Sequence, residues 1–122
     1  MKDSRYFKDE EFRRCSPACS IEDMEEETLF VLDNVRHEAG IPLVLNSAYR
    51  SVVYEKAKGR SGNSAHTKGL AVDIRCTTSA NRWKIVQAAI KCGVRRIGIG
   101  KTYIHLDTDT SLPQDVIWHY YD

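Results

Sequence analysis

The sequence predicts an α+β domain, a small antiparallel sheet with two main helices. Three observations carry this. Apolar residues recur at helical spacing in two segments, one following Ser20 and one following Ser79. Short apolar or alternating runs bounded by Gly, Pro or polar residues read as strands. The chain has 122 residues, enough for one domain with a real core but not for two ordinary domains. Residues 1–122 are therefore expected to form a single domain, with residues 1–19 a lead-in segment packed on its body.

In the lead-in, Tyr6, Phe7 and Phe12 are the expected anchors. Ser20 is expected to cap the first main helix, whose opening turns carry Glu22, Asp23, Glu25 and Glu26, charges that suit the helix dipole. Ile21, Met24, Thr28, Val31, Leu32, Val35 and Ala39 form its apolar stripe, and Gly40 and Pro42 stop it. Leu43 to Leu45 reads as a buried strand. Residues 46–68 are polar and read as a loop. Leu70 to Ile74 reads as a second strand. Ser79 is expected to cap a helix running to Cys92, with Trp83, Val86, Ala89 and Ile90 facing the core and Gly93 ending it. Val94 to Gly100, Thr102 to Thr108 and Val116 to Tyr121 complete the strands, with Gly100-Lys101 as a turn.

Composition removes several function classes. Lys and Arg number 18 against 17 Asp and Glu, a formal net charge of +1. That leaves no electrostatic footprint for nucleic acid and no polybasic patch for a membrane surface. No apolar run approaches the roughly 18 residues of a membrane span. No apolar stretch follows Lys2, so synthesis in the cytoplasm without a secretory signal is expected. Cys15 and Cys19 are spaced as metal ligands can be, but the second close pair of a four-cysteine zinc site is missing. Free, mostly buried thiols are the expected state of Cys15, Cys19, Cys76 and Cys92, with a disulfide or a structural metal as alternatives.

The chemistry points to the histidines. His37 lies in the first helix between Arg36 and Glu38 and reads as a surface residue. His66 ends the polar stretch. Asp73 is the only acid of the strand that follows, between Val72 and Ile74, and a carboxylate among apolar neighbours is costly unless paired or bound to a metal. Alternation puts Tyr103, His105 and Asp107 on one strand face and Ile104 and Leu106 on the other. Two imidazoles and a carboxylate are the ligand set of a catalytic zinc site with a position left for water. A buried His–Asp hydrogen bond without metal uses the same residues, and residue types alone leave both readings open.

The stretch Ser64-Ala65-His66-Thr67-Lys68-Gly69-Leu70-Ala71-Val72-Asp73 resembles the S-x-H-x-x-G-x-A-x-D signature of zinc D-alanyl-D-alanine peptidases. That group takes in dipeptidases and carboxypeptidases of the VanX and VanY types, phage endolysins and hedgehog-like domains. Ser47-Ala48-Tyr49-Arg50-Ser51 is similar to the group's upstream S-G-Y-R-S element. Gly98 to Asp107 resembles the closing segment of small prophage-type members, and Phe7 to Phe12 their F-x-x-x-E-F opening.

The resemblance implies a hedgehog or D-Ala-D-Ala peptidase-like fold and a Zn2+ ion held by His66, Asp73 and His105. It implies Ser64, Arg50 and Tyr49 as substrate-binding residues, with Arg50 also stabilising an oxyanion. Gly69 matches the signature glycine. Many members carry a general base three residues before the third ligand, where this chain has Thr102. Asp107 is the expected substitute, as base or as partner of His105, and His119 is the other candidate. The implied function is a monomeric zinc metallopeptidase that hydrolyses peptidoglycan stem peptides, as a carboxypeptidase or an endolysin-type endopeptidase, in the cell wall or periplasm after phage-type release. The alternative is a non-catalytic zinc module of hedgehog-like fold.

Overall fold

The structure is a computed structural model and describes residues 2–121. Helix α1 (Asp9–Arg13) lies in the lead-in, and its Phe12 is fully buried. Phe7 is buried and Tyr6 packs on the core beside it. Asp9 ties the lead-in down: its carboxylate accepts from Ser20 Oγ, from the Ile21 amide and from Arg13 Nε.

The first main helix starts later than the acidic run suggests. Ser20 does cap, but it caps a single 3-10 turn, Ile21–Asp23. The chain then turns extended at Met24, which it buries completely, and α2 (Glu26–Ala39) begins after Glu25. Burying Met24 outweighs continuing the turn. Helix α2 buries Thr28, Leu29, Leu32, Val35 and Ala39 and ends at Gly40.

Strand β1 is Leu45–Ser47, two residues later than the apolar run. The segment expected to be loop contains helix α3 (Val52–Ala57), capped by Ser51 Oγ, and a 3-10 turn at Ala65–Lys68. Strand β2 (Ala71–Arg75) follows. Helix α4 (Ser79–Lys91) is capped by Thr78 rather than Ser79. It buries Ile85, Ala88 and Ala89, whereas Trp83 and Ile90 are exposed, so the expected stripe is rotated. Strands β3 (Arg96–Ile99), β4 (Tyr103–Asp107) and β5 (Val116–His119) complete the sheet.

The sheet order is β1-β2-β4-β3-β5. All neighbours are antiparallel except β3 and β5, which run parallel. The α+β class with two main helices holds, with that one parallel pair as a departure from an all-antiparallel sheet. Val72, Ile74, Ile97, Ile104 and Leu106 join residues of α2 and α4 in the core. Successive side chains alternate across a strand, so Asp73, Gly98 and His105 occupy the opposite face. That uncovered face carries the site.

Two glycines make room there. Gly69 has a φ of +72°, and a Cβ on it would stand 2.4 Å from the Asp23 carbonyl oxygen. The turn bearing His66 can therefore lie directly against the Asp23–Glu25 backbone, where the Glu25 amide donates to Gly69 O. Gly98 pairs with His105 on one side and Trp118 on the other. A Cβ there would stand 2.8 Å from Trp118 Nε1, so its absence lets the indole lie across the sheet toward His105.

Candidate metal centre

Asp73 and His105 face each other directly across β2 and β4. The His105 Nδ1 atom is 3.0 Å from Asp73 Oδ1, and His66 Nε2 is 3.3 Å from the same oxygen. All three side chains are largely buried. Their ligand atoms lie within 4.8 Å of one another, and they are the one such group among the described residues.

The distances fit a metal. Ligands about 2.0–2.1 Å from a tetrahedral zinc stand roughly 3.3 Å apart. The outer ring nitrogens fit as well. His66 Nδ1 is 2.6 Å from the Ala48 carbonyl oxygen, and His105 Nε2 is 2.7 Å from Asp107 Oδ2. Each acceptor suits the outer N–H of its ring, which would leave the inner nitrogen to a metal, the usual way a protein orients such ligands.

Charge inside the group is tightly matched. Burial pushes the Asp73 carboxyl up, but hydrogen bonds and charge from His105 and His66 outweigh it and hold the group below the usual carboxylate range. Burial pushes His105 down, and its bonds to Asp107 and Asp73 raise it overall. Arg50 adds a guanidinium: its Nη2 donates to Asp73 Oδ2 at 2.7 Å and its Nε to Ser47 Oγ at 2.9 Å.

A cleft of about 490 Å³ opens over this group. Arg50, Ser64, His66, Asp73, His105 and Asp107 all line it. Tyr49 does not; its ring packs on the core. His119 does not either. Trp118 and Tyr120 line the cleft, so alternation along β5 turns His119 to the other side, where it is exposed and its Nδ1 accepts from the Tyr121 amide. Thr102 is exposed and outside the cleft.

Asp107 lies where the sequence places it, but both of its oxygens are engaged. Oδ2 faces His105, while Oδ1 accepts from Arg96 Nε at 2.8 Å and from the Asp109 amide at 3.1 Å. It stands on the far side of His105 from Asp73. This geometry matches a partner of His105 and not a base acting on water.

Sequence reasoning missed Glu55. It is 1% exposed and holds three groups of the cleft: Arg60 at 2.6 Å, Ser64 Oγ at 3.1 Å and Arg50 at 3.5 Å. Burial alone would raise its carboxyl, but Arg60, Arg50 and Ser64 lower it overall. Its signal was the Ser51 cap, which sets Glu55 one helical turn on. Arg96 was missed too; it bonds Asp107 and stacks 4.8 Å over the Trp118 ring. Alternation with Ile97 could have placed it on the site face.

Two imidazoles and a carboxylate at the open face of a small sheet, under a cleft, define a candidate metal centre suited to hydrolysis. The sequence profile of the Peptidase M15 family matches residues 5–107, and the chain belongs to that family. It is a peptidase, of a family of metallopeptidases. Among solved structures it is similar to the Serratia marcescens L-Ala D-Glu endopeptidase ChiX, with a TM-score of 0.57 and 15% identity over 90% of this chain and 92% of that one. That likeness shows a shared fold. No protein of curated function matches the sequence. No helix among the described residues is long and apolar enough to cross a membrane.

Proposed function

We propose that this peptidase is zinc-dependent and hydrolyses stem peptides of bacterial peptidoglycan. The observation that carries the reading is the convergence of His66 Nε2, Asp73 Oδ1 and His105 Nδ1, with both outer ring nitrogens tied back. Neutral imidazoles with a carboxylate are the donor set that suits zinc. The structural likeness to an L-Ala D-Glu endopeptidase supports a wall peptide as substrate. The site of action is then the cell wall or periplasm, reached by phage-type release, and the working form is a monomer.

A zinc held by His66, Asp73 and His105 would supply a bound water of pKa ~7 and would polarise a carbonyl. The chain's own residues do the rest. Asp107 holds the Nε2 proton of His105 and so fixes the ring. Ala48 does the same for His66. Arg50 presents a permanent positive charge beside the ligands, suited to an oxyanion. Glu55 keeps Arg50 and Ser64 in place for substrate. With Glu55 and Asp107 both engaged, the proton carrier we favour is the phenol of Tyr103. Its hydroxyl has no hydrogen-bond partner among the described residues, and its ring lines the cleft two positions before His105. It would donate to the carbonyl oxygen or the leaving amine.

The test is incubation of the zinc-loaded chain with purified wall fragments, followed by mass spectrometry. Loss of a terminal D-Ala marks a carboxypeptidase, and release of an internal fragment an endopeptidase. One zinc per chain with no new fragment would overturn the wall-peptide assignment.

A further inference from the structure

Two thiols outside the cleft are held together by their backbone. The Cys15 and Cys19 amides donate to a single acceptor, Phe12 O, each at 3.1 Å. The Cys15 sulfur lies 3.5 Å from the Glu11 carbonyl oxygen and the Cys19 sulfur 3.7 Å from that of Phe12, the next carbonyl along. The two sulfurs thus sit beside consecutive carbonyls of one short segment. Sharing one acceptor brings the two backbones together, as the roughly 4.4–6.8 Å Cα spacing of a disulfide requires.

We propose that Cys15 and Cys19 are a disulfide-forming pair, oxidised by a small-molecule or protein disulfide once the chain leaves a reducing compartment. The thiols differ in exposure. Cys15 is buried at 5% and Cys19 is half-buried. Cys19 is therefore the attacking sulfur. The neighbouring Cys15 lowers the Cys19 thiol, while Cys19 and burial raise Cys15. Cys19 thiolate attacks one sulfur of the external disulfide and expels the other as a thiolate. Cys15 then gives up its proton and attacks the mixed disulfide at Cys19, releasing the second thiol. Two protein thiols and one disulfide yield one protein disulfide and two thiols. Cys76 and Cys92 lack such a partner among the described residues.

The location gives the bond a purpose. The Ser16 amide donates to Asn46 O at 2.9 Å, and the Cys15 sulfur lies 3.9 Å from Leu45 O. The pair thus backs β1, and the residues that follow are Ser47, which accepts from Arg50, and Ala48, whose carbonyl orients His66. A crosslink there fixes the support of the metal ligands from behind.

The test uses the full chain and glutathione disulfide, with free thiols then alkylated and mapped by mass spectrometry. The expected result is a Cys15–Cys19 crosslink within one peptide, with Cys76 and Cys92 alkylated. The oxidised chain should also melt at a higher temperature than the same sample reduced. C15S should trap a glutathione adduct on Cys19, and C19S should leave Cys15 without one. Alkylation of both Cys15 and Cys19 after oxidation, or pairing of either with Cys76 or Cys92, would overturn the proposal. The wild-type map decides even where a variant fails to fold, and it does not depend on peptidase activity.

Discussion

The imidazole of His105 is gripped at both ends, by Asp73 Oδ1 at Nδ1 and by Asp107 Oδ2 at Nε2. Asp107 therefore acts through His105. Replacing Asp107 by Ala should weaken metal binding or activity by about 10–100-fold, the usual cost of losing a partner of a ligand. Asp107→Asn keeps an acceptor oxygen and should lose less. Zinc titration by calorimetry separates the two variants; equal losses would count against the orienting role.

In the proposed centre His66 would contribute its Nε2 directly. His66→Ala should abolish stoichiometric metal and with it activity. Metal content after gel filtration is the measurement, with circular dichroism as the check on folding. Full occupancy in the variant would place the metal elsewhere.

Glu55 is a structural prediction more than a chemical one. Its removal leaves Arg60 and Ser64 without their partner, while Arg50 keeps Asp73 and Ser47. Orphaning a buried charge costs about 3–5 kcal/mol, and with Arg60 half-exposed and Arg50 still paired the loss stays below that. Glu55→Ala should lower stability by less than that amount in urea unfolding, whereas Glu55→Gln keeps the Ser64 contact and should cost less still.

Tyr103→Phe removes only a hydroxyl. Loss of a proton carrier costs roughly 10²-fold or more in rate. The turnover number should fall with zinc content and melting temperature unchanged. Unaltered turnover would return the role to another group.

Asp9 predicts an acid-sensitive lead-in. The hydrogen bond from Arg13, with those from the Ile21 amide and Ser20, lowers its carboxyl from 3.8 to about 2. A carboxyl lowered by folding stabilises the native state above its unfolded value, and that contribution is lost as pH falls toward the folded value. The gap in melting temperature between the wild type and Asp9→Asn should be full above about pH 5 and close as pH falls toward 2.

The candidate ligands are more legible in the sequence than their supports. His66, Asp73 and His105 stand out because an isolated acid and imidazole inside apolar strands need a reason to be there. Glu55 does not stand out. It sits between Tyr54 and Lys56 in a polar stretch, and only tertiary packing of α3 buries it. Alternation placed Tyr103, His105 and Asp107 correctly, and the same rule applied to Trp118 and Tyr120 excludes His119. The start of α2 differs from the expected one because Ser20 and the acids after it satisfy capping rules wherever a turn begins. What ended that turn was the pull of the core on Met24, which local pattern does not reveal. Trp83 and Ile90 are exposed despite their apolar character, because a helix lying on one side of a small sheet has too little core to cover them.

The facing pair Asp73 and His105 has a further consequence for how the chain finds its fold. A slip of β4 by one residue against β2 would set Ile104 or Leu106 opposite Asp73 and turn the imidazole into the hydrocarbon interior. The three side chains converge in the native alignment. If they hold the proposed ion, its affinity is reserved for the native pairing, and metal present during folding would favour that strand alignment by mass action.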